Sequence, residues 1–112
     1  MTPFIQRSAR DDILRQYRYF LDVDQAGLAD RFIAAVNDTI DKIPINPHAG
    51  SPRYFENPAL VGLRGRRVEG FGEFRVYYLI REDVLTIIRV LHNRRDLGAI
   101  FDDQSVEEPD GE

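Results

Sequence analysis

Val84-Leu85-Thr86-Ile87-Ile88-Arg89-Val90-Leu91-His92 runs directly into Asn93-Arg94-Arg95-Asp96-Leu97, and this stretch decides the fold. Branched aliphatic residues and Thr86 dominate its first nine positions, the composition of a β-strand. The run is almost continuously apolar, which predicts burial on both faces and a central place in a sheet. Arg89 interrupts it, and His92, Asn93, Arg94 and Arg95 close it with polar groups. A rigid strand ending in charge is a natural mount for a site.

Working back from that strand, Phe74-Arg75-Val76-Tyr77-Tyr78-Leu79-Ile80 reads as a second strand, joined to the first by Glu82-Asp83. A two-residue hairpin turn at that link places Arg75 opposite Val90, Tyr77 opposite Ile88 and Phe74 opposite Leu91. Arg75 and Tyr77 then share one face and Arg89 points to the other, an assignment that a one-residue slip would reverse. Leu63-Arg64-Gly65-Arg66-Arg67-Val68-Glu69 is a weaker strand with arginines at its outward positions, and Gly70 and Gly72 around Phe71 mark a turn or bulge.

The N-terminal half has a different period. Thr2–Arg7 is a short strand, with Pro3 at its first residue or on an edge. Ser8 is placed to cap a helix carrying Ile13, Leu14, Tyr17, Phe20 and Leu21 on one stripe and ending near Val23. Asp24 is the next candidate cap, before a second helix built on Leu28, Phe32, Ala35, Val36, Thr39, Ile40 and Ile43 and stopped by Pro44. The short link between them predicts an antiparallel helical hairpin. Residues 44–61 hold four prolines and read as a long connecting loop bearing His48, Arg53, Tyr54 and Glu56.

Beyond the organising strand, residues 94–101 are expected to form a short helix contacting the core through Leu97, Ile100 and Phe101. The order strand, helix, helix, strand, strand, strand predicts an α+β two-layer domain over residues 1–101, with a three-stranded antiparallel meander. Residues 102–112 contain six acids and no bases, the composition of a disordered tail.

The formal net charge of −4 therefore misleads. Without the six tail acids, 15 bases face 13 acids, and Arg64–Arg95 alone carries eight arginines. The absence of cysteine removes disulfides, thiolate nucleophiles and Cys-ligated zinc, and fits a reducing cytoplasm. No apolar run reaches the roughly 18 residues of a membrane span. Only His48 and His92 are present, with no metal-ligand spacing, so neither metal nor cofactor is expected. No glycine-rich phosphate loop stands in a strand–turn–helix context. What remains is a sheet bearing Arg64, Arg66, Arg67, Arg75, Arg89, His92, Arg94 and Arg95, suited to phosphate or carboxylate contacts. The alternative is a solvated strand face whose charges serve solubility.

Gly72-Glu73-Phe74-Arg75-Val76-Tyr77-Tyr78-Leu79-Ile80 and Thr86-Ile87-Ile88-Arg89-Val90-Leu91-His92-Asn93-Arg94-Arg95-Asp96-Leu97 resemble the C-terminal half of ParE-type toxins in the ParE/RelE superfamily. The resemblance covers residues 1 to about 101, and it leaves the acidic tail outside. It implies the toxin half of a type II toxin–antitoxin, plasmid-stabilisation module, held inactive by a ParD-like antitoxin. ParE-like toxins poison DNA gyrase by binding, without catalysis of their own. RelE- and YoeB-like relatives are instead ribosome-dependent mRNA endoribonucleases. Under that alternative, Arg75 falls where such nucleases hold phosphate, His92 falls near their C-terminal histidine, and Glu56 would supply a carboxylate. The tyrosine that those nucleases carry near the C-terminus is unmatched, because Asn93 follows His92. A third possibility is a non-toxic interaction module that keeps antitoxin binding alone. On the gyrase reading, the antitoxin or target contacts are expected at Arg64, Arg66, Arg67, Phe71, Arg75, Tyr77, Arg89, His92, Arg94, Arg95 and Leu97, with no direct nucleic-acid binding.

Overall fold

The computed structural model describes residues 1–109. Its elements are β1 (Pro3–Ile5), α1 (Arg7–Asp22), α2 (Ala26–Lys42), β2 (Ser51–Pro52), β3 (Arg64–Val68), β4 (Phe71–Arg81), β5 (Val84–His92) and α3 (Leu97–Asp102). The strands make one five-stranded sheet in the order β1-β5-β4-β3-β2. The antiparallel meander β3-β4-β5 is present as expected. β1 adds to it in parallel beside β5, so the sheet is mixed. The middle strand is therefore β4, and β5 lies second from the edge. β5 is still buried on both faces, because layers cover both sides of the sheet.

The helical hairpin covers one face. Ala9, Phe20, Phe32, Val36 and Ile40 from the helices meet Val76, Tyr78, Leu85, Ile87 and Val90 from the strands in the main core. Leu14 and Leu21, expected on the α1 stripe, are instead 43% and 41% exposed. The opposite face carries a second core of Leu60, Leu63, Tyr77, Leu79, Ile88, Leu91 and Phe101. α3 and the 53–61 segment close it, and the Phe101 ring lies 4.8 Å from Phe55 and 5.0 Å from Tyr77.

The β4–β5 turn has two residues, with Glu82 and Asp83 both at positive φ (51° and 65°). Such a turn matches the twist of the strands it joins. It sets Arg81 opposite Val84, and the register follows from it as far as Tyr78 opposite Ile87. There the register shifts, so that Tyr77 faces Arg89, Arg75 faces Leu91 and Phe74 faces His92. This corrects the sequence-based register by one residue. The cause is a β-bulge on β5 at Ile88–Arg89, where two residues oppose one.

The bulge is held from outside. β1 ends at Ile5, leaving the outer backbone groups of β5 beyond Ile87 without a strand partner. Side chains replace it: Ser8 Oγ donates to Ile88 O at 2.7 Å, and Asp12 Oδ2 accepts from Val90 N at 2.9 Å. Ser8 is thus not a helix cap, and Gln6 holds the N-cap position with no side-chain capping bond. Asp24 likewise lies in the left-handed region (φ 57°), and Gln25 precedes α2. α3 starts at Leu97 rather than Arg94, capped by the Asp96 carboxylate accepting from Ala99 N.

Residues 104–109 do not behave as the disordered tail expected from composition. The Gln6 amide acts as a substitute peptide group, donating to Ser105 O (3.1 Å) and accepting from Glu107 N (2.9 Å). Arg7 N donates to Glu107 Oε1 at 2.7 Å, and Val106 packs on the second core. The rest of that expected tail, residues 110–112, lies outside the described residues.

Candidate functional site

The alternation of a strand sorts the arginines of β3 onto two faces. Arg64 and Arg66 pair with Tyr78 and Val76, which belong to the helix-side core. Gly65 and Arg67 pair with Tyr77 and Arg75 on the far face. Arg64 is committed to the loop, where its Nη1 donates to Gly50 O (2.7 Å) and His48 O (3.1 Å). The Tyr78 hydroxyl fixes the same loop, donating to Pro47 O at 2.6 Å and accepting from Gly50 N at 3.1 Å. Arg66 Nη1 is buried without a hydrogen-bond partner among the described residues.

Arg89, which the sequence places among the binding residues, is not on an open surface. Its side chain is 15% exposed and paired with an Asp12 carboxylate that is 2% exposed. Its remaining nitrogen, Nη1, donates to Gln104 Oε1 at 3.0 Å. Nor is Tyr77 open, being fully buried. Phe71 is half-buried against Phe32, with centroids 5.4 Å apart. It borders an open groove of about 700 Å³ with Tyr19, Phe20, Leu28 and Phe74.

At the end of β5, His92 Nε2 lies 2.9 Å from Glu73 Oε2, and its Nδ1 accepts from Arg94 N at 3.0 Å. With Nδ1 accepting, Nε2 is the ring nitrogen that faces the Glu73 carboxylate as donor. The ring also stands edge-on to Phe74 at 5.0 Å, on the helix side of the sheet. Arg94 and Arg95 are exposed in the following turn, and Leu97 is half-buried on the second core.

The far face gathers the remaining guanidinium groups. Arg67 and Arg75 are directly opposite across β3 and β4. Arg53, delivered by the loop, lies with Cζ 5.8 Å from the centroid of the Tyr77 ring. Arg75 Nη1 donates to Gly72 O at 3.0 Å. Among the described residues none of the three forms an ion pair. Burial raises the pKa of Tyr77, and the charges of Arg53 and Arg75 oppose that rise. Sequence reasoning places Arg53 only in a loop, because nothing local marks its reach over Tyr77.

The three groups of the nuclease alternative come from different parts of the fold. Arg75 is on the far face, His92 pairs with Glu73 on the helix side, and Glu56 lies in the loop beside Gly98 and Asp102 of the α3 region. No hydrogen bond or ion pair among the described residues joins any two of them. Also among the described residues, no group of three or more His, Asp or Glu side chains is arranged to hold a metal ion. Among the described residues no helix is long and apolar enough to cross a membrane.

Comparison with known proteins assigns this architecture. Residues 4–97 match the family described as the ParE toxin of the type II toxin–antitoxin system parDE, and the chain belongs to that family. Among solved structures it is similar to a chain of the "Chromosomal ParDE TA system from P. aeruginosa", with a TM-score of 0.67 and 17% identity. That likeness covers 82% of this chain and 95% of the other, and it concerns the fold. No curated protein sequence matches the chain.

Proposed function

We propose that this chain is the toxin half of a toxin–antitoxin pair, inhibiting DNA gyrase by binding and neutralised by a ParD-like antitoxin. Membership of the ParE family supports the toxin role. The placement of Arg75 and His92 on opposite faces of the sheet carries the choice of binding over RNA cleavage. Cleavage needs a base, an acid and a phosphate-stabilising cation within reach of one scissile bond. Docking needs only a complementary surface. A gyrase target places the working protein in the cytoplasm.

The antitoxin covers the groove beside Phe71 and the apolar edge at Leu97, and sets acids against Arg67 and Arg75. Arg64 and Arg89, already committed within the fold, contribute through stability. The purified chain is expected to inhibit gyrase supercoiling, with inhibition relieved by the antitoxin encoded beside it. Full supercoiling activity together with cleavage of ribosome-bound message would overturn the reading.

A further inference from the structure

We propose that the groove between the β4–β5 hairpin and residues 106–109 docks a basic peptide segment, one carrying lysine or arginine among apolar side chains. The groove has a volume of about 530 Å³ and an apolar floor of Leu79, Val84 and Val106. Its rim is acidic. Glu82 comes from the hairpin turn, and Glu107 and Glu108 come from the terminal segment. Glu107 Oε1 accepts from Arg7 N at 2.7 Å, which fixes that carboxylate. Among the described residues none of these three acids forms an ion pair. Arg81, the one base lining the groove, turns its Nη2 to the carbonyls of Ala59 (2.8 Å) and Val61 (3.0 Å).

Acids alone would mark only a solvated rim. Thr86 makes the groove a site. It lines the groove, is 5% exposed, and its side chain forms no hydrogen bond among the described residues. Pairing with Phe4 of β1 and Leu79 of β4 holds its backbone from both sides. Buried hydroxyls are nearly always satisfied, so this one points to a partner that arrives through the groove.

The chemistry selects the occupant. Carboxylates accept, and a threonine hydroxyl accepts as readily as it donates, so their common complement is a donor cation. Lysine and arginine carry such a group on an apolar stem, which suits a greasy floor below charged walls. The wall also offers main chain. Gln6 engages Ser105 O and Glu107 N, whereas the backbone groups of Val106 and Glu108 make no hydrogen bond among the described residues. An extended segment can pair with such an edge, and a free amine cannot. The groove shares no residue with the surfaces assigned above to the antitoxin, and the proposal is independent of whether gyrase is the target.

The test is fluorescence anisotropy of the intact chain with a labelled octapeptide of alternating lysine and valine. Saturable one-to-one binding is expected, with NMR amide shifts concentrated at Val84, Thr86, Val106 and Glu108. Glu82 and Glu108 are exposed, so their variants should fold. Glu82→Gln and Glu108→Gln should each weaken binding about threefold and together about tenfold, the scale of exposed charge pairs. Thr86→Val should weaken it without lowering Tm, which separates a contact with the peptide from support of the fold. Asp30→Asn, which removes the same charge from an exposed position on α2, should leave affinity unchanged. Absence of saturable binding, equal weakening by Asp30→Asn, equal binding of a glutamate-for-lysine peptide, or displacement by spermidine at matched charge would overturn the proposal.

Discussion

The carboxylate of Asp12 on α1 grips the guanidinium of Arg89 at the β5 bulge through two hydrogen bonds, of 2.8 and 2.7 Å. The same carboxylate accepts the Val90 backbone N–H. One acid thus neutralises a buried cation, satisfies an unpaired strand edge and ties the first helix to the penultimate strand of the sheet.

Removing Asp12 leaves both Arg89 and the Val90 N–H unmatched in a dry site. Asp12→Ala is therefore expected to lower stability by about 3–5 kcal/mol, the range for breaking one side of a buried pair. Pairing it with Arg89→Met should cost less than the sum of the single changes, because the stranded charge is gone. Denaturant titration of the four proteins measures both quantities.

Gly50 faces the Tyr78 hydroxyl so closely that any β-carbon would collide with it. Gly50→Ala should destabilise by about 1–3 kcal/mol, the usual range for overpacking. Tyr78→Phe in the Gly50→Ala background should recover part of the loss. Equal stability of Gly50→Ala and the parent in thermal melts would show that the loop shifts freely.

Tyr77 and Tyr78 both have raised pKa values, in each case chiefly from burial. The fold therefore favours their neutral forms. That contribution is fully present below the ordinary tyrosine pKa of about 10 and is lost as pH rises through the higher folded values. Stability is expected to fall above about pH 10, with a shallower fall in Tyr77→Phe. Urea titrations at successive alkaline pH values give the slopes, and identical slopes would remove Tyr77 as a contributor.

A chain ending at Asp103 loses Gln104, Ser105 and Glu107, and with them one acceptor of the Gln6 amide nitrogen, the donor to its oxygen and one partner of Arg89. A loss of about 1–3 kcal/mol is expected from the buried Gln6 amide alone. Gln6→Ala in the full chain should lose less, since no orphan amide remains. Thermal unfolding of both variants distinguishes this from an idle terminus, which would leave the midpoint unchanged.

The elements themselves were legible because their patterns are strong and local. The apolar runs of β4 and β5 and the helical spacing of Phe32, Val36 and Ile40 each demand one kind of structure. The Glu82-Asp83 turn correctly fixed the register next to it. The bulge was not legible, since it depends on Asp12, a residue that in sequence looks no different from Asp11. Burial of Arg89 followed the same contact, so an arginine on a strand read as a binding group when it is a buried pair. Composition hid the terminal segment: Gln104 and Ser105 are polar and the rest is largely acidic, yet Val106 and the Gln6 amide hold it in place. Arg53 was visible as a residue, but its position over Tyr77 depends on the path of a proline-rich loop that has no periodicity to read.

Phe101 draws a different boundary from the one that kinship marks. The span shared with relatives stops at Leu97, while the ring that roofs Tyr77 comes four positions later. A fragment trimmed to its recognisable ancestry would present Tyr77, Ile88 and Leu91 to water as a greasy plate. Clumping of such a fragment would record a missing roof, and it would say nothing about toxicity.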